Sequence, residues 1–136
     1  MKPSNLIRNC RFHIWKENFA IVKAKRTCPG AFANIIDKNE ITIVIEQGKV
    51  KEKEVIEIEK DWKILTFDMV LPFGLVGFLA TVSKALADEG ISIYVISAYS
   101  TDHILIKEQN IVKTKNKLKT LGCNVVKELV SVAQLK

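Results

Sequence analysis

Residues Leu71 to Ile106, LPFGLVGFLATVSKALADEGISIYVISAYSTDHILI, read as a glycine-opened helix followed at once by a strand hairpin. Leu75, Leu79, Val82 and Leu86 step by four, three and four, so they fall on one stripe of a 3.6-residue helix. Gly90 supplies its C-terminal stop. Ile91, Ile93 and Val95 then alternate with Ser92, Tyr94 and Ile96. Ser100 and Thr101 sit at a turn, and Asp102 and His103 open a second apolar strand that ends at Ile106.

Working outward, Trp62 to Phe67 reads as a strand, Leu75 to Glu89 as the helix, and Ile91 to Ala98 with His103 to Ile106 as the hairpin. Ile111 to Leu121 reads as a second helix striped by Ile111, Thr114, Leu118 and Leu121 and ended by Gly122, and Val125 to Val130 as a last strand. The order is βαββαβ. Both helices can pack on one face of an antiparallel sheet, which predicts an α+β two-layer sandwich of the ferredoxin-like type.

The N-terminal half has strands but no full-length amphipathic helix. Phe12 to Lys25 suggests a strand or bent pair of strands, Thr27 to Gly30 a turn, Phe32 to Ile36 a short strand and Ile41 to Glu46 a clear one. Gln47 to Lys60 is charge-rich and reads as a solvated connection. Residues 1–60 are therefore expected to form an incomplete unit and 61–136 a complete one, the first sheet being finished by the second half or by another subunit. Such an unpaired edge predicts a homodimer.

Composition narrows the classes of function. Hydrophobic content of 48% and charged content of 26% describe a globular chain. Met1 to Asn9 carries charges and a proline where a secretory signal needs an apolar core, so none is expected. The run Met69 to Val82 is broken by Pro72, Gly74 and Gly77 and falls short of the roughly 20 residues of a membrane span. No membrane partner is expected, and the expected location is the cytoplasm. The three cysteines, Cys10, Cys28 and Cys123, are odd in number and lack CxxC spacing, so neither a disulfide framework nor a zinc site is indicated. Net charge is +6, but the lysines at 113, 115, 117 and 119 scatter around a helix, so nucleic acid is not an expected partner.

Several functions of this topology are excluded by residue type. The third strand of the unit lacks the stacking aromatics of an RNA-recognition module. The loop Leu71-Pro72-Phe73-Gly74-Leu75-Val76-Gly77 has neither the paired cysteines of a metallochaperone nor the arginine of an acylphosphatase. No nucleophile–base pair or metal cluster appears, so no enzyme activity and no cofactor are expected. The loop instead allows close backbone approach at a helix start, where free N–H groups and the helix dipole favour an anion such as an α-carboxylate. Asp102 supplies the opposite charge. Simpler roles are a turn-forming aspartate for Asp102, helix–sheet packing for Gly74 and Gly77, and a sheet-surface ring for Tyr99.

Gly77-Phe78-Leu79-Ala80 with Val82, then Ile91-Ser92-Ile93 and Ile96-Ser97, resemble the helix and second strand of ACT domains, the amino-acid-sensing modules of aspartate kinase and related enzymes. Phe32 to Val44 and Ser97 to Ile106 resemble more closely the small proteins of two tandem ACT-like units and the animal cytosolic arginine sensors. The resemblance implies a regulatory protein that binds a small molecule, a free amino acid, and couples this to association with itself or a partner. To the site expected at the loop residues Phe73, Gly74, Leu75, Val76 and Gly77 it adds strand-edge contacts from Ser92 and Ile93. Ala98 and Tyr99 would line the pocket and Asp102 would hold the cationic end. Ala98 stands where those proteins usually carry threonine. The alternative is an interaction module that keeps the fold without a ligand and works by strand addition across subunits.

Overall fold

The computed structural model describes residues 10–67 and 77–129. Its strands are β1 (Arg11–Trp15), β2 (Phe19–Ala24), β3 (Ala33–Ile36), β4 (Ile41–Glu46), β5 (Val55–Phe67), β6 (Ile93–Ser97), β7 (Asp102–Lys107) and β8 (Asn124–Leu129). The helices are α1 (Phe78–Asp88) and α2 (Ile111–Thr120). All eight strands join one sheet. The α+β expectation holds, as does the order βαββαβ from β5 onward.

Strand β5 organises the sheet. Trp62 pairs with Phe19 of β2 and with Lys107 of β7, while Leu65 pairs with Ile14 of β1 and Ile104 of β7. Strands β1 and β2 therefore follow one another along a single edge of β5, and β7 lies on the other. Strand β4 continues the sheet beyond β2 and β3 beyond β4, so the first half is completed by β5 itself. β5 runs across residues 60 and 61, where the sequence suggested a boundary. Part of the stretch read as a solvated connection, from Val55 to Lys60, belongs to this strand.

The last strand is not where a simple βαββαβ order puts it. β8 pairs in parallel with β1, Arg11 opposite Asn124, so β1 is intercalated between β5 and β8.

Both helices cover one face, as their periodicity requires. Phe78, Val82, Ala85 and Leu86 of α1 and Thr114 and Leu118 of α2 are buried, against Phe12, Ile14, Leu65, Phe67, Ile104 and Ile106 of the sheet. Each fully buried large apolar side chain here stabilises the fold by about 1.5–3 kcal/mol. The α1 stripe is turned slightly from the expected one, because the described helix starts at Phe78 and Leu79 is only partly buried.

The first half has no helix to cover Ala20, Val22, Ala24, Ile43 and Ile45. Cys28, Ala31 and Val50, from the loops after β2 and β4, pack there instead. The opposite sheet face carries Trp15, Phe19, Trp62, Ile64 and Leu105, with Phe32 folded over them. Phe32 meets Trp15, Phe19 and His103 edge-on at 5.5, 6.0 and 5.1 Å between ring centroids.

His103 is tied into this layer by hydrogen bonds. Trp15 Nε1–H donates to Thr66 Oγ1 at 2.7 Å, and the same hydroxyl is hydrogen-bonded to His103 Nδ1 at 2.8 Å. Burial lowers the His103 pKa below 6.5, and neighbouring Asp102 opposes the shift.

Cys10 and Cys123 form a disulfide, which corrects the expectation from cysteine number and spacing that no disulfide is indicated. The bond links the residue before β1 to the residue before β8, and the two are 113 positions apart. Parallel pairing over that distance leaves no local sequence signal. Disulfides are rare in a reducing cytosol, so cysteine usage no longer supports a cytoplasmic location. Cys28 is the free thiol.

Two measurements follow from these contacts. Thiol titration in denaturant is expected to give one reactive cysteine per chain without reductant and all three after reduction. Reduction should lower the melting temperature by roughly ten degrees, since a long closed loop contributes about 2–5 kcal/mol. Three reactive thiols before reduction would contradict the cross-link. For His103 the unfolded chain binds the proton more tightly than the folded one. Stability is therefore fully present above the unfolded pKa of 6.5 and falls as pH drops below it toward the depressed folded value. Denaturant midpoints between pH 7.5 and about 5.5 should show that fall, and His103→Gln should flatten it.

Candidate functional site

The start of α1 and the β6–β7 hairpin share one end of the sheet. Gly77 caps α1 with φ +94°, a left-handed conformation that suits glycine. Its carbonyl accepts from Thr81 N–H at 2.9 Å, and it offers no side-chain oxygen to the helix's first amides. Phe78, the first helical residue, sets its ring edge-on to Phe67 at 5.0 Å. His103 pairs with Thr66, so the preceding residue, Asp102, lies level with the end of β5 at Phe67.

The hairpin is closed tightly. Ser97 pairs with Asp102, and Ala98 N–H donates to Thr101 O at 2.8 Å. Ser97 Oγ–H donates to Asp102 Oδ1 at 2.6 Å, so one carboxylate oxygen is engaged across the hairpin by a neighbouring strand. Ala98 is exposed, and Tyr99 is 82% exposed at the turn.

The residues expected to form the site divide into three groups. Gly77, Ala98, Tyr99 and Asp102 lie at the end just described. Ser92 and Ile93 lie at the start of β6, roughly 15 Å away along the strand at about 3.3 Å per residue. Ser92 is exposed, and Ile93 packs against the helix-side core. Phe73, Gly74, Leu75 and Val76 lie outside the described residues.

On the sheet face away from the helices, a cleft of about 620 Å³ opens between Lys23, Glu40, Glu57, Glu59 and Tyr94. Burial raises the Tyr94 pKa, with a smaller contribution from Glu40. Sequence reasoning did not single out this cleft, because its walls come from β2, β4, β5 and β6 and share no motif. Among the described residues, no group of three or more His, Cys, Asp or Glu side chains is arranged to hold a metal ion. Among the same residues no helix is long and apolar enough to cross a membrane.

Comparison with known proteins agrees with this architecture. No protein of curated function matches the chain in sequence. An Agobacterium tumefaciens protein of known crystal structure is 21% identical, with TM-score 0.78, over 90% of this chain and 96% of its own. A Vibrio cholerae protein of unknown function is 19% identical, with TM-score 0.70, over 86% and 93%. The ligand-free regulatory subunit of aspartate kinase from Thermus thermophilus is 8% identical, with TM-score 0.58, over 81% and 95%. At such identities the likeness is one of fold. The ACT domain family profile matches residues 57–120, from near the start of β5 to the end of α2. The likeness to ACT domains therefore falls on the βαββα segment that β5 opens and α2 closes.

Proposed function

We propose that this chain is an amino-acid-binding regulatory protein of the ACT type, with ligand binding coupled to self-association. A free amino acid would set its carboxylate at the start of α1 and its cationic end on Asp102. The observation that supports this reading is that the start of α1, with its anion-favouring amides, and the hydrogen-bonded Asp102 carboxylate lie toward the same end of the sheet. The family profile over residues 57–120 supports a binding role over catalysis. Tyr99, exposed on the single chain, gains cover when a second chain or ligand reaches the hairpin.

A specific feature favours a second reading, an interaction module without ligand. β3 has β4 as its partner on one edge, and its Ile36 is 70% exposed, with Ile35 also exposed. An apolar strand edge of this kind invites pairing with another chain.

A thermal-shift screen of free amino acids separates the two. Ligand at a hundredfold excess over its dissociation constant adds about 2.7 kcal/mol, a shift of several degrees in a domain of this size. At least one amino acid should stabilise the native chain and fail to stabilise Asp102→Ala. The unliganded variant should melt within roughly two degrees of the native protein, since the Ser97 hydrogen bond it loses is exposed. If no stabilisation depends on Asp102, the site is misassigned. Light scattering at tens of micromolar, on the order used for weak dimers, is expected to report a dimer, and a monomer under all ligand conditions would remove self-association from the proposal.

A further inference from the structure

Strand β8 ends the sheet on a single neighbour. Its parallel pairing to β1, with Asn124 opposite Arg11 and Val125 opposite Phe12, shifts register before it resumes at Glu128 and Leu129. Among the described residues no strand pairs its other edge. Val125 and Val126 are 37% and 46% exposed, so this part of β8 buries little apolar surface.

The elements beside β8 do not depend on it. β1 is held on its other edge by β5, with His13 opposite Thr66 and Ile14 opposite Leu65, and its Phe12 and Ile14 lie in the helix-covered core. α2 closes its own end before β8 begins. Gly122, at φ +92°, donates its N–H to Lys119 O at 3.0 Å, and Cys123 N–H donates to Leu118 O at 2.9 Å. The first bond that belongs to β8 itself is the one from Asn124 N–H to Cys10 O, at 3.1 Å.

Immediately before that bond stands the Cys10–Cys123 disulfide, with both cysteines 1% exposed. Two thiols need more room than two bonded sulfurs, and a closed, packed site gives it only if the two strands part. β1 is clamped by β5 and by the core, whereas β8 has no second strand to hold it. β8 is the strand that yields.

We propose that the Cys10–Cys123 bond is a redox latch on the edge of the sheet: when a dithiol opens it, β8 leaves β1 while β1 to β7 and both helices stay folded. One thiolate of the reductant bonds to a cysteine sulfur and displaces the other cysteine as a thiolate. The second reductant thiol then closes the reductant's own disulfide and releases the first cysteine. Both cysteines end as thiols, carrying the two protons the dithiol gives up, and the reductant is oxidised by two electrons. The sheet then ends at β1 in the reduced chain and at β8 in the oxidised one. Cys28, already a thiol, takes no part, and the latch does not rest on the hairpin reading.

Hydrogen–deuterium exchange of the full chain, read by mass spectrometry on its peptides before and after dithiothreitol, tests the latch. In the oxidised chain the β8 amides should be protected. After reduction they should exchange within about tenfold of an unstructured peptide, whereas β2, β4, β7 and α1 stay at least about a hundredfold protected. Glutathione disulfide, which closes the bond again, should restore the protection of β8. A second variant reads the coupling from the other side. Asn124→Pro removes the donor to Cys10 O, so dithiothreitol should reduce the buried bond several-fold faster, because attack on it requires β8 to open first. Far-ultraviolet circular dichroism checks that the reduced chain and the variant are folded. The proposal is overturned if β8 is unprotected before reduction or still protected after it, if protection is lost across the whole chain together, or if it does not return on reoxidation. An unchanged reduction rate in folded Asn124→Pro overturns it as well.

Discussion

The thirteen-residue strand β5 is the constraint on which the rest of the molecule depends. Its first part belongs to the β2–β4–β3 sheet and its second part to the helix-covered sheet. One strand can serve both only if its side-chain alternation is reset on the way. The reset is at Asp61, whose φ of +66° is unusual for a residue other than glycine. Gln47 holds it there: Asp61 N–H donates to Gln47 Oε1 at 2.7 Å, and Gln47 Nε2 donates to Asp61 Oδ1 at 3.0 Å. Without that irregularity Ile58 and Trp62, four residues apart, would face the same way. With it, Ile58 joins the Val22 cluster while Trp62 joins the aromatic layer on the opposite face.

The parts of this fold that were legible in the sequence are those whose packing is local. Leu79, Val82 and Leu86 gave α1 to within a few residues, and Thr114 and Leu118 gave the buried stripe of α2. The hairpin followed from alternation, the stretch Phe12 to Lys25, read as a strand or a bent pair of strands, is the pair β1 and β2, and the strand read at Ile41 to Glu46 is β4. The upstream extension of β5 was hidden by its charges. Ile56, Glu57, Ile58 and Glu59 do alternate, but an edge with no strand partner between Val55 and Asp61 lets the strand carry glutamates as a solvated loop would. The intercalation of β1 had no local signature at all, because both of its neighbours lie far along the chain.

The candidate site was legible to the same degree and for the same reason. Gly77 and Asp102 are each the first residue of a local motif, a helix start and a returning strand, and the βαββαβ order places both at one end. Ser92 and Ile93 came from resemblance alone, and the length of β6 carries them to the other end. The Trp15–Thr66–His103 chain was not foreseen, because its members stand 51 and 37 residues apart and meet only through pairing with β5.

The same argument explains why the first unit contains a cavity and the second a dense core. Helices satisfy their own backbone groups, so α1 and α2 can lay a continuous apolar stripe on the sheet. A loop must bond its backbone to its surroundings, and the loops after β2 and β4 spend their contacts on Asn34, Glu54 and short 3₁₀ turns at Gln47–Lys49 and Glu52–Glu54. They bring charged residues to the edge of an apolar floor and leave space between. Covering Val22, Ile43 and Ile45 with loops therefore leaves a small cavity of about 80 Å³ with an apolar base and a charged mouth.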